Sequence, residues 1–131
     1  MNFKPLLYVT TGGFTGSILR YTLGEWLHSG SGFPVGTLFV NLTGCFLLGW
    51  LLTFIGTRTK KRPEVQMFFG TGLIGSFTTF STFSVETIHL IENEQFIMAF
   101  FYVLLSMIIG VLLVLAGRKL VLIRGQKEER T

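Results

Sequence analysis

Four apolar runs, at about residues 5–27, 34–57, 64–91 and 96–123, take up nearly the whole of this 131-residue chain and leave only short connections between them. Each run is long enough to cross the roughly 30 Å hydrocarbon core of a bilayer at about 1.5 Å rise per residue. In lipid the backbone has no water to bond, so each run must satisfy its own N–H and C=O groups as a helix. At 49% hydrophobic and 14% charged residues, the chain is too apolar for a soluble domain of its length. The expected fold is therefore an all-α integral membrane protein: a single membrane domain of four transmembrane helices with a charged C-terminal tail, 124–131. The first run is not a signal peptide. It is long, holds Arg20, lacks a small-residue cleavage site and is followed by further apolar runs.

One stretch of the third run, Gly70 to Ser84 (GTGLIGSFTTFSTFS), carries more than an ordinary membrane helix needs. Gly70, Gly72 and Gly75 weaken helical structure, because glycine loses the most backbone entropy on being ordered. They predict a break in the third helix near Gly75 to Thr78. Beyond them Ser76, Thr78, Thr79, Ser81, Thr82 and Ser84 are interleaved with Phe77, Phe80 and Phe83. On a continuous helix that spacing places the rings along one slowly drifting stripe with hydroxyls on its flanks. Broken backbone at membrane depth is tolerated only where protein buries it or water reaches it, so the stretch predicts a site. The competing reading is that Gly, Ser and Thr here serve only close helix packing.

Several other polar residues lie inside the runs. Arg20 costs about 2.5 to 3.5 kcal/mol in a spanning helix unless it reaches protein, water or an interface. Three readings are open: snorkelling, since Trp26 is close, a fixed cation near the mouth of an anion pathway, or a structural tie to a neighbouring backbone. Asn41, one turn after Thr37, is either interhelical glue or an N–H donor to a bound anion. Tyr102, Ser106 and Gly110 recur at four-residue spacing and share one helix face. Cys45 is the single cysteine, which excludes an intramolecular disulfide, and reads as a small buried hydrophobe. Cys45, His28 and His89 have no metal-ligand spacing. Gly70, Gly72 and Gly75 spell GxGxxG with Glu92 downstream, but both flanks are apolar where a dinucleotide site needs a strand and an aqueous βαβ unit. No nucleophile with its base and no metal set points to an enzyme.

Of the eleven Lys and Arg residues, all but Arg20 lie at Lys4, in the second connection (Arg58, Lys60, Lys61, Arg62) or from Arg118 to Arg130. These three places share one side of a four-span chain, so the bias predicts both termini in the cytoplasm. The cations sit at segment ends and form no folded basic face, so the net charge of +4 predicts no nucleic-acid partner. Four short spans are too few to enclose a generous pore, and oligomerisation is expected. A small proton-coupled multidrug exporter is a rival reading, but it wants a carboxylate deep in the first helix, where this chain has Arg20. A non-conducting structural or regulatory membrane subunit is the other.

In the order and spacing of GGFTGSILRY around Arg20, GTLFVNLTG around Asn41, and GTGLIGSFTTFSTFS, the chain resembles the small bacterial fluoride channels of the Fluc, or CrcB, family. The resemblance covers all four runs. It implies an antiparallel dimer in the bacterial cell membrane, with two narrow pathways through which cytoplasmic fluoride leaves passively, conferring fluoride resistance. It also implies a structural sodium ion at the dimer interface, held by backbone carbonyls of Gly75 and Thr78 from both subunits. Phe80 and Phe83 would line the pathways and Asn41 would contact fluoride. Ser81, Thr82, Ser84 and Glu86 would form a polar track, joined by Tyr102 and Ser106 from the fourth helix, with Arg20 near the aqueous vestibule. One departure stands out. A chain that inserts in both orientations should carry balanced cations, and this one does not, which implies a fixed orientation and pairing with an inverted, separately encoded relative as an alternative to a homodimer.

Overall fold

Pro5 opens the first helix, α1 (Lys4–Trp26), at a position where its missing N–H is tolerated. The same device starts the second, α2 (Val35–Thr57), just after Pro34, and the short α3 (Pro63–Val65), where Glu64 also places an acidic group in the first turn. The computed structural model describes residues 3–27, 32–57 and 62–128, and every regular element among them is helical. His28 and Arg58 to Lys61 lie outside the described residues.

The third segment is not one helix. From α3 the chain runs into a π-helix, Gln66–Ile74, then α4 (Gly75–Phe77), and after an interruption into α5 (Phe80–Glu92). The interruption lies at Thr78 and Thr79, whose ψ angles of 156° and 125° are extended. Gly75 itself is helical, with φ −62° and ψ −32°, so the break does not begin at the glycine that suggested it. The glycines have a different effect. Upstream of the break they accompany the wide i→i+5 winding, in which the Gly75 N–H bonds Gly70 O. The last segment is α6 (Phe96–Glu128), entered through a turn in which Glu94 adopts a φ of 61°. It continues past the expected end near residue 123, because its tail has no proline and its Lys and Arg residues suit a helix C-terminus.

Two packing seams hold these segments together. In one, α2 lies along α6; in the other, α1 lies along the π-helix and α4, while α5 leans on α6. Both seams depend on backbone approaching backbone. A Cβ at Gly12 would overlap the Phe68 carbonyl, and one at Gly16 the Leu73 carbonyl, so the Gly12/Gly16 pair is a seat for the third segment's backbone. Across the other seam a Cβ at Gly49 would strike Val114 O and one at Gly117 would strike Phe46 O. A small aliphatic and aromatic core forms where Leu90, Ala99 and the fully buried Tyr102 meet Phe33, Leu38 and Phe83.

Among the described residues, two helical stretches are apolar and long enough to cross a membrane by length and composition, Val35–Thr57 and Phe96–Gly125. Large apolar side chains on the outer faces, such as Phe14, Ile97 and Val111, are more than half exposed. An apolar surface this continuous is what a lipid-facing bundle presents, and it exceeds what a soluble monomer shows.

Candidate functional site

The break at Thr78 and Thr79 is built by side chains of two helices. From α2, Asn41 clamps Thr79 with two bonds: its Nδ2 donates to Thr79 O (2.9 Å) and its Oδ1 accepts from the Thr79 N–H (2.8 Å). Only this orientation of the amide satisfies both groups, since the flipped one would set donor against donor. Thr79, the one buried polar residue among those described (8% exposed), is also the N-cap of α5. Its Oγ1 accepts from the Thr82 N–H at 3.2 Å and lies 3.0 Å from Thr82 Oγ1 and 3.3 Å from Ser81 Oγ.

These bonds have a consequence for the carbonyls behind them. In an unbroken helix the Thr79 N–H would donate to Gly75 O and the Thr82 N–H to Thr78 O, each four residues back. Here the first goes to Asn41 and the second to the Thr79 hydroxyl. The carbonyls of Gly75 and Thr78 thereby lose their helical donors. Thr78 closes the first half-helix instead, its N–H and its hydroxyl both donating to Ile74 O, while its methyl group occupies the space a Cβ at Gly44 would need.

The break also divides the phenylalanines. Phe77 is buried on the near side, whereas Phe80, on the far side, is 80% exposed. The single stripe of three rings expected for a continuous helix does not form, because two extended residues separate Phe77 from the other two. Phe80 and Phe83 remain together, ring centroids 6.0 Å apart, and Phe83 packs on Tyr102 at 4.9 Å. Tyr102 in turn meets the edge of Phe33 at 5.6 Å.

Below this aromatic row both oxygens of Glu86 are taken. Thr37 Oγ1 donates to Oε1 and Tyr102 OH donates to Oε2, each at 2.7 Å, so the carboxyl ties α2, α5 and α6 together. A cavity of about 660 Å³ reaches this group from the end of the bundle where α1 ends and α6 begins. Arg20, Glu25, Thr37, Thr79, Glu86 and His89 are among its lining residues. Arg20 makes no ion pair among the described residues and contributes a cation to this wall; His89 pairs at 3.4 Å with Glu92.

The predicted site residues are thus partly brought together. Asn41, Phe80, Phe83, Ser81, Thr82, Glu86 and Tyr102 lie along one path around the break. Ser84 bonds back to Phe80 O within its own helix. Ser106 lies one turn beyond Tyr102, its Oγ buried with no hydrogen-bond partner among the described residues. Two residues of the site were not singled out from sequence, Thr37 and Thr79. Thr37 had a signal, its place one turn before Asn41; Thr79 was hidden among six hydroxyls, since only the break makes it a cap. Cys45 lies beside Gly110, and no group of His, Cys, Asp or Glu that could hold a metal occurs among the described residues.

The family described as CrcB-like protein, Camphor Resistance (CrcB), matches residues 7–118. A protein of Oceanobacillus iheyensis named fluoride-specific ion channel FluC is 52% identical over 126 residues, covering 96% of this chain and 98% of that relative. FluC 1 of Bacillus cereus is 46% identical over 84% of this chain and 83% of its own, and FluC 2 of Listeria monocytogenes is 45% identical over 87% and 88%. With four helical segments, an apolar exterior and these relatives, the chain is a multi-pass membrane protein that belongs to the CrcB-like family, whose named members here are ion channels and not enzymes.

Proposed function

We propose that this chain is the subunit of a fluoride-selective channel that lets cytoplasmic fluoride leave down its electrochemical gradient, working as an antiparallel dimer with two pores. The observation that carries the reading is the pairing of exposed Phe80 with Phe83 beside the Asn41, Ser81 and Thr82 cluster, in a family whose relatives are named for fluoride. Fluoride is small and strongly hydrated, so a pathway must replace its water with donors. Hydroxyls and amides do this, and the positive edges of phenylalanine rings attract the ion without trapping it. After clamping Thr79, the Asn41 amide has one N–H left to offer. Arg20 in the cavity wall raises the local concentration of anions at the entrance.

A single subunit leaves this path open on one side, since Phe80 projects out of the bundle at 80% exposure. A second, inverted copy or relative supplies the missing wall. The same pairing would bring the Gly75 and Thr78 carbonyls of both subunits together around a sodium ion. The residues fit that role, because backbone carbonyls at the C-terminal end of a half-helix, deprived of their helical donors, are good ligands for sodium. Bound there, sodium supplies positive charge to carbonyl oxygens that otherwise lack donors.

Fluoride efflux from liposomes containing only this chain, read by a fluoride electrode beside a chloride control, tests the proposal. Rapid efflux selective for fluoride is expected from a homodimer. If the chain alone is silent, co-reconstitution with an inverted relative is expected to restore efflux, and silence of that mixture would reject the channel reading. The cation bias places both termini in the cytoplasm. If the orientation is fixed and the partner is an inverted relative, reporters fused to each terminus signal almost entirely from the cytoplasmic side; a substantial external population would overturn the fixed orientation in favour of the homodimer.

A further inference from the structure

The carbonyls of Gly75 and Thr78 are not left free by an accident of unwinding: each has had its own donor removed by a particular side chain. Asn41 Oδ1 holds the Thr79 N–H at 2.8 Å and Thr79 Oγ1 holds the Thr82 N–H at 3.2 Å. Those two amides are the groups that would cap Gly75 O and Thr78 O if the helix continued. The second arm of the clamp, Asn41 Nδ2 to Thr79 O at 2.9 Å, keeps Thr79 extended and so prevents the helix from closing over the gap.

We propose that Asn41 and Thr79 are positioning residues for the cation: by capturing the Thr79 and Thr82 amides they hold the Gly75 and Thr78 carbonyls available as ligands. This inference rests on the sodium reading given above. It adds a role to Asn41, whose expected task is contact with fluoride, and assigns one to Thr79. It also links the two ions physically, since the amide that shapes the carbonyl cluster uses one N–H on Thr79 O and has a second left for the anion. Removing either side chain returns an amide to its carbonyl. In an apolar surrounding, where an unpaired N–H is costly, that return is strongly favoured.

The test is hydrogen–deuterium exchange of the segment from Ser76 to Phe83 in fluoride-free liposomes, with sodium titrated against N-methylglucamine. In the wild-type chain sodium is expected to slow exchange in this segment. Thr79→Val, which keeps the shape and loses the hydroxyl, is expected to raise the half-effective sodium concentration by at least about tenfold, and Thr79→Ser to restore it to within about threefold. Asn41→Ala is expected to act like Thr79→Val; if it does not yield folded protein, the Thr79 pair decides alone. A wild-type chain that responds to sodium with an unchanged midpoint in Thr79→Val overturns this inference and leaves the sodium site standing. The wild-type channel is used in whichever form conducts, the chain alone or paired with its inverted relative; if that channel is indifferent to sodium, the sodium reading is overturned, and the inference with it.

Discussion

Phe80→Ile is expected to lower fluoride efflux by at least about tenfold, equivalent to about 1.4 kcal/mol on the barrier, while the protein still purifies as a stable oligomer. Phe80 is 80% exposed within its own subunit, so the exchange removes little packing there. What it removes is a ring edge carrying a positive partial charge, which an aliphatic branch of similar bulk cannot replace. Phe83→Ile is expected to cut efflux to a similar degree but with some loss of thermal stability, because Phe83 also packs on Tyr102 at 4.9 Å. Efflux assays on both variants, beside their melting midpoints, separate the two effects. Unchanged efflux in both would remove the rings from the pathway.

Gly117→Val is expected to cost about 3 kcal/mol or more and to leave little monodisperse protein. The added Cβ would overlap Phe46 O and crowd the Trp50 N–H at 2.8 Å, so the obstacle is backbone of a regular helix and cannot rotate away. The seam between α2 and α6 has to open, and a membrane bundle held by close van der Waals contact has no aqueous hydrophobic effect to compensate. Gly16→Val meets the Leu73 carbonyl in the other seam and is expected to behave alike. Gly56→Val serves as the control, since nothing lies within 4 Å of its would-be Cβ. The comparison is made by size-exclusion profile and thermal midpoint. Wild-type behaviour of Gly117→Val would show that the seam yields more easily than its geometry implies.

Much of this protein follows from sequence alone. Four long apolar runs in a chain with few charges leave only helices as a solution in lipid, and the clustering of Lys and Arg at one set of ends follows from the same polarity argument. The interleaved Phe, Ser and Thr residues after Gly75 marked the third segment as special, and Arg20 and Asn41 were recognisable as polar groups that a membrane helix must justify, while Glu86 entered through the family resemblance. These are properties of composition and period, which a sequence carries directly.

The tertiary structure decided where the backbone breaks and what each polar group does. Glycine lowers the cost of unwinding but does not choose the place. The choice fell on Thr78 and Thr79 because Asn41, on another helix, offers both a donor and an acceptor there, and because the Thr79 hydroxyl can cap the helix that follows. Asn41, open between glue and donor when read alone, is bound to Thr79 through both amide groups with one N–H to spare. Thr37 entered the site only when α2 came to lie against Glu86. Such pairings join residues far apart in the chain, and no local period encodes them. The period-three spacing of the phenylalanines was visible in sequence, yet its meaning depended on two extended residues that turn Phe77 into the core and Phe80 outward.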